Sequence, residues 1–132
     1  MSAIQSFRQW MATSTVAHMA FAFVVMGGWA LFANRAHALP EMLRAGLVQG
    51  AISCVLTFPL KKFLEWFSPK LEGSAAFVLP PMVTASSILA ILSGAHTLAG
   101  TPEIVATIAV PFAVSTSYAI LYNLRLCRER RA

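Results

Sequence analysis

Apolar residues along this chain gather into four long runs, and no formal charge interrupts any of them. Residues 9–34, 45–60, 73–102 and 104–124 contain no Asp, Glu, Lys or Arg. Each run is close to the about 17 to 25 residues that a helix needs to cross a bilayer once snorkelling ends are counted. None alternates as a barrel strand does, and a backbone in hydrocarbon must satisfy its own hydrogen bonds, so all four are expected as helices. The pattern places them near residues 14–34, 42–67, 77–98 and 102–126. The expected fold is all-α: one polytopic membrane domain over residues 1–132 with four transmembrane helices.

Composition points the same way. Hydrophobic residues make up 58% of the 132 positions and charged residues 11%, against about 25% charged in soluble domains. A net charge of +5 raises nucleic acid as a partner. The basic residues flank apolar spans, however, and form no basic strip interleaved with aromatics, so no nucleic-acid partner is expected. Their distribution sets a topology instead. Arg8 precedes the first span, Lys61, Lys62 and Lys70 lie between the second and third, and Arg125, Arg128, Arg130 and Arg131 follow the fourth. With four crossings those eight fall on one side and only Arg35 and Arg44 on the other, so both termini are expected in the cytoplasm. The triplet Ala36-His37-Ala38 has the spacing of a signal-peptidase site. The apolar stretch before it exceeds the usual 7 to 15 residues of a signal core, which favours an uncleaved first helix.

The two short outer connections resemble one another. Ala36-His37-Ala38-Leu39-Pro40-Glu41 and the stretch from Ala95-His96 to Pro102-Glu103 share A-H-x-L…P-E with three residues inserted. Val48, Ala51 and Ser53 match Val110, Ala113 and Ser115 at the 62-residue offset of the two Pro-Glu pairs. Two tandem helical hairpins in one orientation are expected, about 14–67 and about 77–126. Pro40 and Pro102 are both expected in a first helical turn, where a missing backbone donor is tolerated. Pro80-Pro81 is expected to start the third helix, and Pro59 and Pro111 to kink theirs. Small residues at four-residue spacing, Gly46/Gly50/Cys54, Ser86/Ala90/Gly94 and Ala109/Ala113/Ser117, are expected as packing seams of the bundle.

Intramembrane ionisable groups usually mark ion and proton pathways. None of the four charge-free runs contains Asp or Glu, which leaves His18 as the possible proton or polar site. At the outer face His37 and Glu41 are expected to meet His96 and Glu103, with Arg35 and Arg44 close by. Two imidazoles and two carboxylates make His37 and His96 candidate metal ligands, and the arginines suit an anionic head group. Solvated caps at loop tips remain the simpler reading, and neither a metal nor any other cofactor is expected. Gln49 stands apart from the hydroxyl residues of the spans, because a primary amide in lipid needs a partner. Cys54 and Cys127 are expected at different depths and unpaired. No C-x-x-C, H-E-x-x-H, G-x-S-x-G or phosphate-loop pattern occurs, so an enzyme is disfavoured.

Tandem two-helix hairpins of this size resemble, in outline, those of small bacterial multidrug exporters. Those families keep an acidic residue in the first helix and this chain has none, so no residue roles carry over. The leading expectation is a small inner-membrane transporter or flippase-like protein for an amphipathic or lipid-linked molecule, surrounded by membrane lipid and acting as a homo-oligomer. Gln49, Ser53 and Ser115 would line its pathway, while Arg44, Glu41 and Glu103 meet a polar head outside. The alternatives are a non-catalytic accessory or assembly subunit of a larger membrane complex, and a membrane enzyme or metal site on the outer face.

Overall fold

The computed structural model describes residues 2–132, and for residues 11–13 the backbone alone. Among the described residues every regular element is helical: α1 Ala3–Thr13, α2 Thr15–Ala33, α3 Leu39–Phe67, a 3-10 turn Ser68–Lys70, α4 Gly73–Leu98 and α5 Ile104–Arg131. α2, α3 with its 3-10 extension, α4 and α5 are long and apolar enough to cross a membrane. The chain is therefore a multi-pass membrane protein built as an all-α bundle. α2 packs mainly on α3 and α4 mainly on α5, while α3 also touches α4 and α5, and α2 reaches α5.

The distribution of polarity is the inverse of a water-soluble domain. Asn34, Gln49, His96, Thr107 and Asn123 are fully buried, whereas Val24, Val55 and Leu121 are 69%, 63% and 68% exposed. The apolar core proper is small, Ile88, Leu92 and Ile108 with Ile52, Leu60, Ile104 and Phe112 around it. Buried polar groups cost free energy unless hydrogen-bonded, and apolar groups gain nothing by hiding from lipid, so this arrangement suits hydrocarbon as solvent.

The bundle has two chemically distinct ends. At the tight-turn end lie the α2–α3 and α4–α5 connections. The basic end holds the α3–α4 connection, the C-terminal turn of α5 and most of the Lys and Arg residues. Ser14, in extended conformation, ends α1 and caps α2 by accepting from the Ala17 amide through Oγ. α1 was not foreseen from the charge pattern. It is amphipathic, with Ile4, Phe7 and Trp10 exposed on one side and the Phe7 and Trp10 rings 6.1 Å apart. Ser2 and Gln5 close a capping box at its start.

Glycine allows α2 and α3 to touch backbone to backbone. A Cβ on Gly27 would lie 2.9 Å from the Gly46 carbonyl oxygen, and one on Gly50 would lie 2.9 Å from that of Phe23. The Gly46/Gly50 stripe is thus an internal seam. The other two stripes face outward, contrary to expectation: Ser86, Ala90, Gly94, Ala109, Ala113 and Ser117 are all exposed. The buried face of α4 follows Ala76, Pro80, Thr84, Ile88, Leu92 and His96 instead, which turns the small residues to the opposite side.

The prolines also depart from expectation. Pro40 lies in the first turn of α3, but Pro102 precedes the Glu103 N-cap of α5. Pro80 and Pro81 lie inside α4, which begins at Gly73, seven residues before Pro80. Each of these prolines withdraws the amide that would bond the carbonyl four residues earlier, which leaves Ala76 and Phe77 oxygens without their helical donors. Asn123 of α5 supplies the replacement: Nδ2 donates to Ala76 O at 2.9 Å and to Phe77 O at 3.2 Å. The Cys127 thiol adds a weaker contact to Ala76 O at 3.4 Å. Cys127 is accordingly buried in α5, which runs to Arg131 rather than ending near residue 126. An amide that neutralises two orphan carbonyls explains how a double proline persists in a helix surrounded by lipid.

Candidate functional site

A cavity of about 470 Å³ lies between α2, α3 and α5, with α4 behind it. It runs from Gln49 to Lys61 on α3, about 18 Å at 1.5 Å per residue. His18 and Met26 bound it on α2, Pro111 and Tyr118 on α5. Its walls are largely apolar: Phe21, Met26, Leu56, Leu92 and Val114 are among them. Gln49, Ser53 and Ser115 all line it, and so does His18, so four residues singled out in the sequence converge on one space.

Hydrogen bonds between helices gather at the Gln49 end of the cavity. Gln49 is fully buried and uses both ends of its amide, Nε2 donating to Ser53 Oγ at 2.9 Å and Oε1 meeting His96 Nε2 at 2.9 Å. An amide oxygen only accepts, so His96 Nε2 carries a proton. Its Nδ1 then receives the Thr101 hydroxyl at 2.8 Å, so an uncharged imidazole satisfies both contacts. This chain of bonds ties α3, α4 and the α4–α5 connection together at the tight-turn end of the cavity. A second set joins α2 to α5. Asn34 Nδ2 donates to Thr107 Oγ1 at 2.7 Å, the Glu103 amide donates to Asn34 Oδ1 at 3.1 Å, and Trp29 Nε1 donates to Ala106 O at 2.9 Å. Beyond these contacts, toward the basic end, the cavity reaches His18, Lys61 and Tyr118, each of them exposed.

The tight-turn surface brings together part of the group expected there. His37 Nε2 and Glu103 Oε1 lie 2.9 Å apart, and Arg44 Nη2 donates to Gly100 O at 3.3 Å. Glu41 instead caps α3 by accepting from the Ala38 amide, while Arg35 lies over the Phe32 ring at 4.0 Å. His96 departs furthest from expectation, since in the last turns of α4 it is wholly buried and does not reach the outer surface. Both of its ring nitrogens are engaged inside, so it does not join His37. No group of three His, Cys, Asp or Glu side chains placed to hold a metal occurs among the described residues. Arg44, Glu41 and Glu103 lie at the tight-turn end and do not line the cavity.

At the basic end Glu65 gathers three partners. The Tyr122 hydroxyl donates at 2.7 Å, Lys62 Nζ lies at 3.3 Å, and Lys61 Nζ stands off at 3.8 Å. Nearby, Arg130 donates to Ser68 O at 2.9 Å and to Ser68 Oγ at 3.1 Å, which fastens the 3-10 turn to α5.

His96 as a buried link, Asn34 and Asn123 were not identified in the sequence. An amide inside an apolar run is a signal for a buried partner, and Asn123 carried it. Comparison with protein-family models, curated proteins and solved structures found no match to this chain. Function is therefore read from the site itself.

Proposed function

We propose that this chain is a small membrane transporter or flippase-like protein that holds an amphipathic or lipid-linked molecule between α2, α3 and α5. One observation carries the reading: a largely apolar cavity among the helices is lined by the polar groups of Gln49, Ser53, Ser115 and His18. Hydrogen bonds join the helices at its tight-turn end, and exposed His18, Lys61 and Tyr118 line it toward the basic end. Apolar walls with a few convergent polar groups suit a cargo with an apolar body and a polar head.

In this picture two tandem hairpins, about 14–67 and about 77–126, lie in an inner membrane with both termini cytoplasmic. The support is the gathering of Lys and Arg at one end of the bundle. The Lys61 end of the cavity then faces the cytoplasm, and Arg44, Glu41 and Glu103 at the outer face would meet the cargo's head only after it has crossed. α1 lies along the cytoplasmic interface with Ile4, Phe7 and Trp10 toward the acyl chains.

Liposomes containing the purified protein and a head-labelled fluorescent lipid test this directly. Transfer between leaflets faster than in protein-free liposomes, slowed by Gln49→Leu, is expected. No movement of lipid or of any amphiphile would refute it. A second reading, a non-catalytic subunit of a larger membrane complex, is favoured by the two outward small-residue stripes on α4 and α5, which would let another helix approach closely. Isolation in mild detergent separates the two, since a stoichiometric foreign partner favours the subunit and a homo-oligomer favours the transporter.

A further inference from the structure

Taking the cavity as a cargo site, as proposed above, we infer that its cargo is an anionic single-chain amphiphile whose oxyanion head meets Lys61 at the mouth. The inference starts from charge. Lys61 is the one formally charged residue lining the cavity among the described residues, and no carboxylate lines it. The nearest carboxylate, Glu65, is engaged more closely by Tyr122 at 2.7 Å and by Lys62 at 3.3 Å, which leaves Lys61 as its most distant partner at 3.8 Å. The Lys61 side chain is half exposed, so its ammonium retains donors for a ligand.

An ammonium head at this mouth would meet a like charge and no lining carboxylate. An oxyanion would gain charge-assisted hydrogen bonds from Lys61, and the Tyr118 hydroxyl and His18 line the same cavity. The surrounding Lys and Arg of the basic end raise the local concentration of anions further. Size selects one chain. A cavity of about 470 Å³ falls within the roughly 300–1,000 Å³ that encloses one drug-sized molecule. An apolar tail would run toward Leu92 and Met26, and the Gln49 amide, already bonded on both sides, closes the far end.

The test uses the full chain in phosphatidylcholine nanodiscs with a photoactivatable laurate analogue. Adduct positions are read by mass spectrometry, and lauryl phosphate, laurate, laurylamine and monolaurin serve as competitors. Adducts should concentrate on Met26, Leu56 and Leu92, which line the cavity and are not exposed. Laurate and lauryl phosphate should displace the probe at concentrations about tenfold lower than laurylamine or monolaurin, the ratio that one charge-assisted contact supplies. Lys61→Gln should bring the anions to the level of monolaurin and leave monolaurin unchanged, while Lys61→Arg keeps the preference. Laurate preferred over lauryl phosphate, or the reverse, identifies the head as carboxylate or phosphate. If laurylamine competes as well as laurate, or Lys61→Gln changes nothing, the anionic assignment is overturned while the cavity remains a cargo site. Adducts spread over lipid-facing residues such as Val24 and Leu121, with no enrichment in the cavity, would overturn both.

Discussion

Replacing Asn123 with leucine tests how the bundle tolerates two prolines in α4. The substitution keeps the number and branching of side-chain heavy atoms but withdraws the donor that serves Ala76 O and Phe77 O. Interhelical side-chain hydrogen bonds in a membrane average about 0.6 kcal/mol, so the two contribute roughly 1 kcal/mol. Phe77 O is then left bare and Ala76 O keeps only the Cys127 thiol at 3.4 Å; a buried unpaired carbonyl costs about 1–3 kcal/mol. One offset exists, because Asn123 Oδ1 has no partner among the described residues and leucine removes it. The net loss expected is about 2 kcal/mol, roughly a 30-fold change in the folded-to-unfolded ratio. In a Pro80→Ala, Pro81→Ala background the backbone amides return and bond the same carbonyls, so Asn123→Leu should then cost under about 0.5 kcal/mol. Unfolding by rising SDS fraction in mixed micelles, followed by circular dichroism, measures both legs. Equal losses in the two backgrounds would show that Asn123 does not serve the proline carbonyls, and the explanation of the double proline would fail.

Gly50→Ala places a methyl 2.9 Å from the Phe23 carbonyl oxygen and should destabilise the α2–α3 seam by about 1–3 kcal/mol in the same assay. Gly28→Ala meets nothing within 4 Å and should be neutral or stabilise by up to about 1 kcal/mol. His96→Leu leaves Gln49 Oε1 and the Thr101 hydroxyl unpaired, and hydrogen exchange at the Gly100 and Thr101 amides should rise about tenfold or more, as loss of about 1.4 kcal/mol of local stability requires. Brominated lipid should quench Trp10 fluorescence in a protein whose other tryptophans are replaced by phenylalanine, and Phe7→Glu should weaken that quenching; an unquenched Trp10 would remove α1 from the interface.

The four long helices were legible because a run without charge must either cross lipid or bury itself in a core larger than this chain can build. α1 was hidden by that same criterion, since Arg8 interrupts it. The i, i+3 spacing of Ile4, Phe7 and Trp10 behind a Ser2-x-x-Gln5 capping box carried the missed signal. Gln49 was readable as a buried amide from its chemistry alone, and its place beside Ser53 and Ser115 follows from helical spacing plus the bundle's packing. His96 was not. Its match to His37 in the repeat suggested the outer surface, whereas His96, inside α4, is wholly buried against Gln49 and Thr101. Which face of a helix meets lipid is equally hard to read where every face is apolar, and the outward small-residue stripes of α4 and α5 show the consequence.

Lipid as the solvent of this surface is the claim on which the rest depends, and spin labels measure it most directly. Nitroxides placed singly at Val24, Val55, Ile91 and Leu121, all exposed and on four different helices, should collide freely with oxygen and hardly at all with a water-soluble nickel chelate when the protein is in a bilayer. Ready collision with the nickel chelate at these positions would contradict a membrane-spanning bundle.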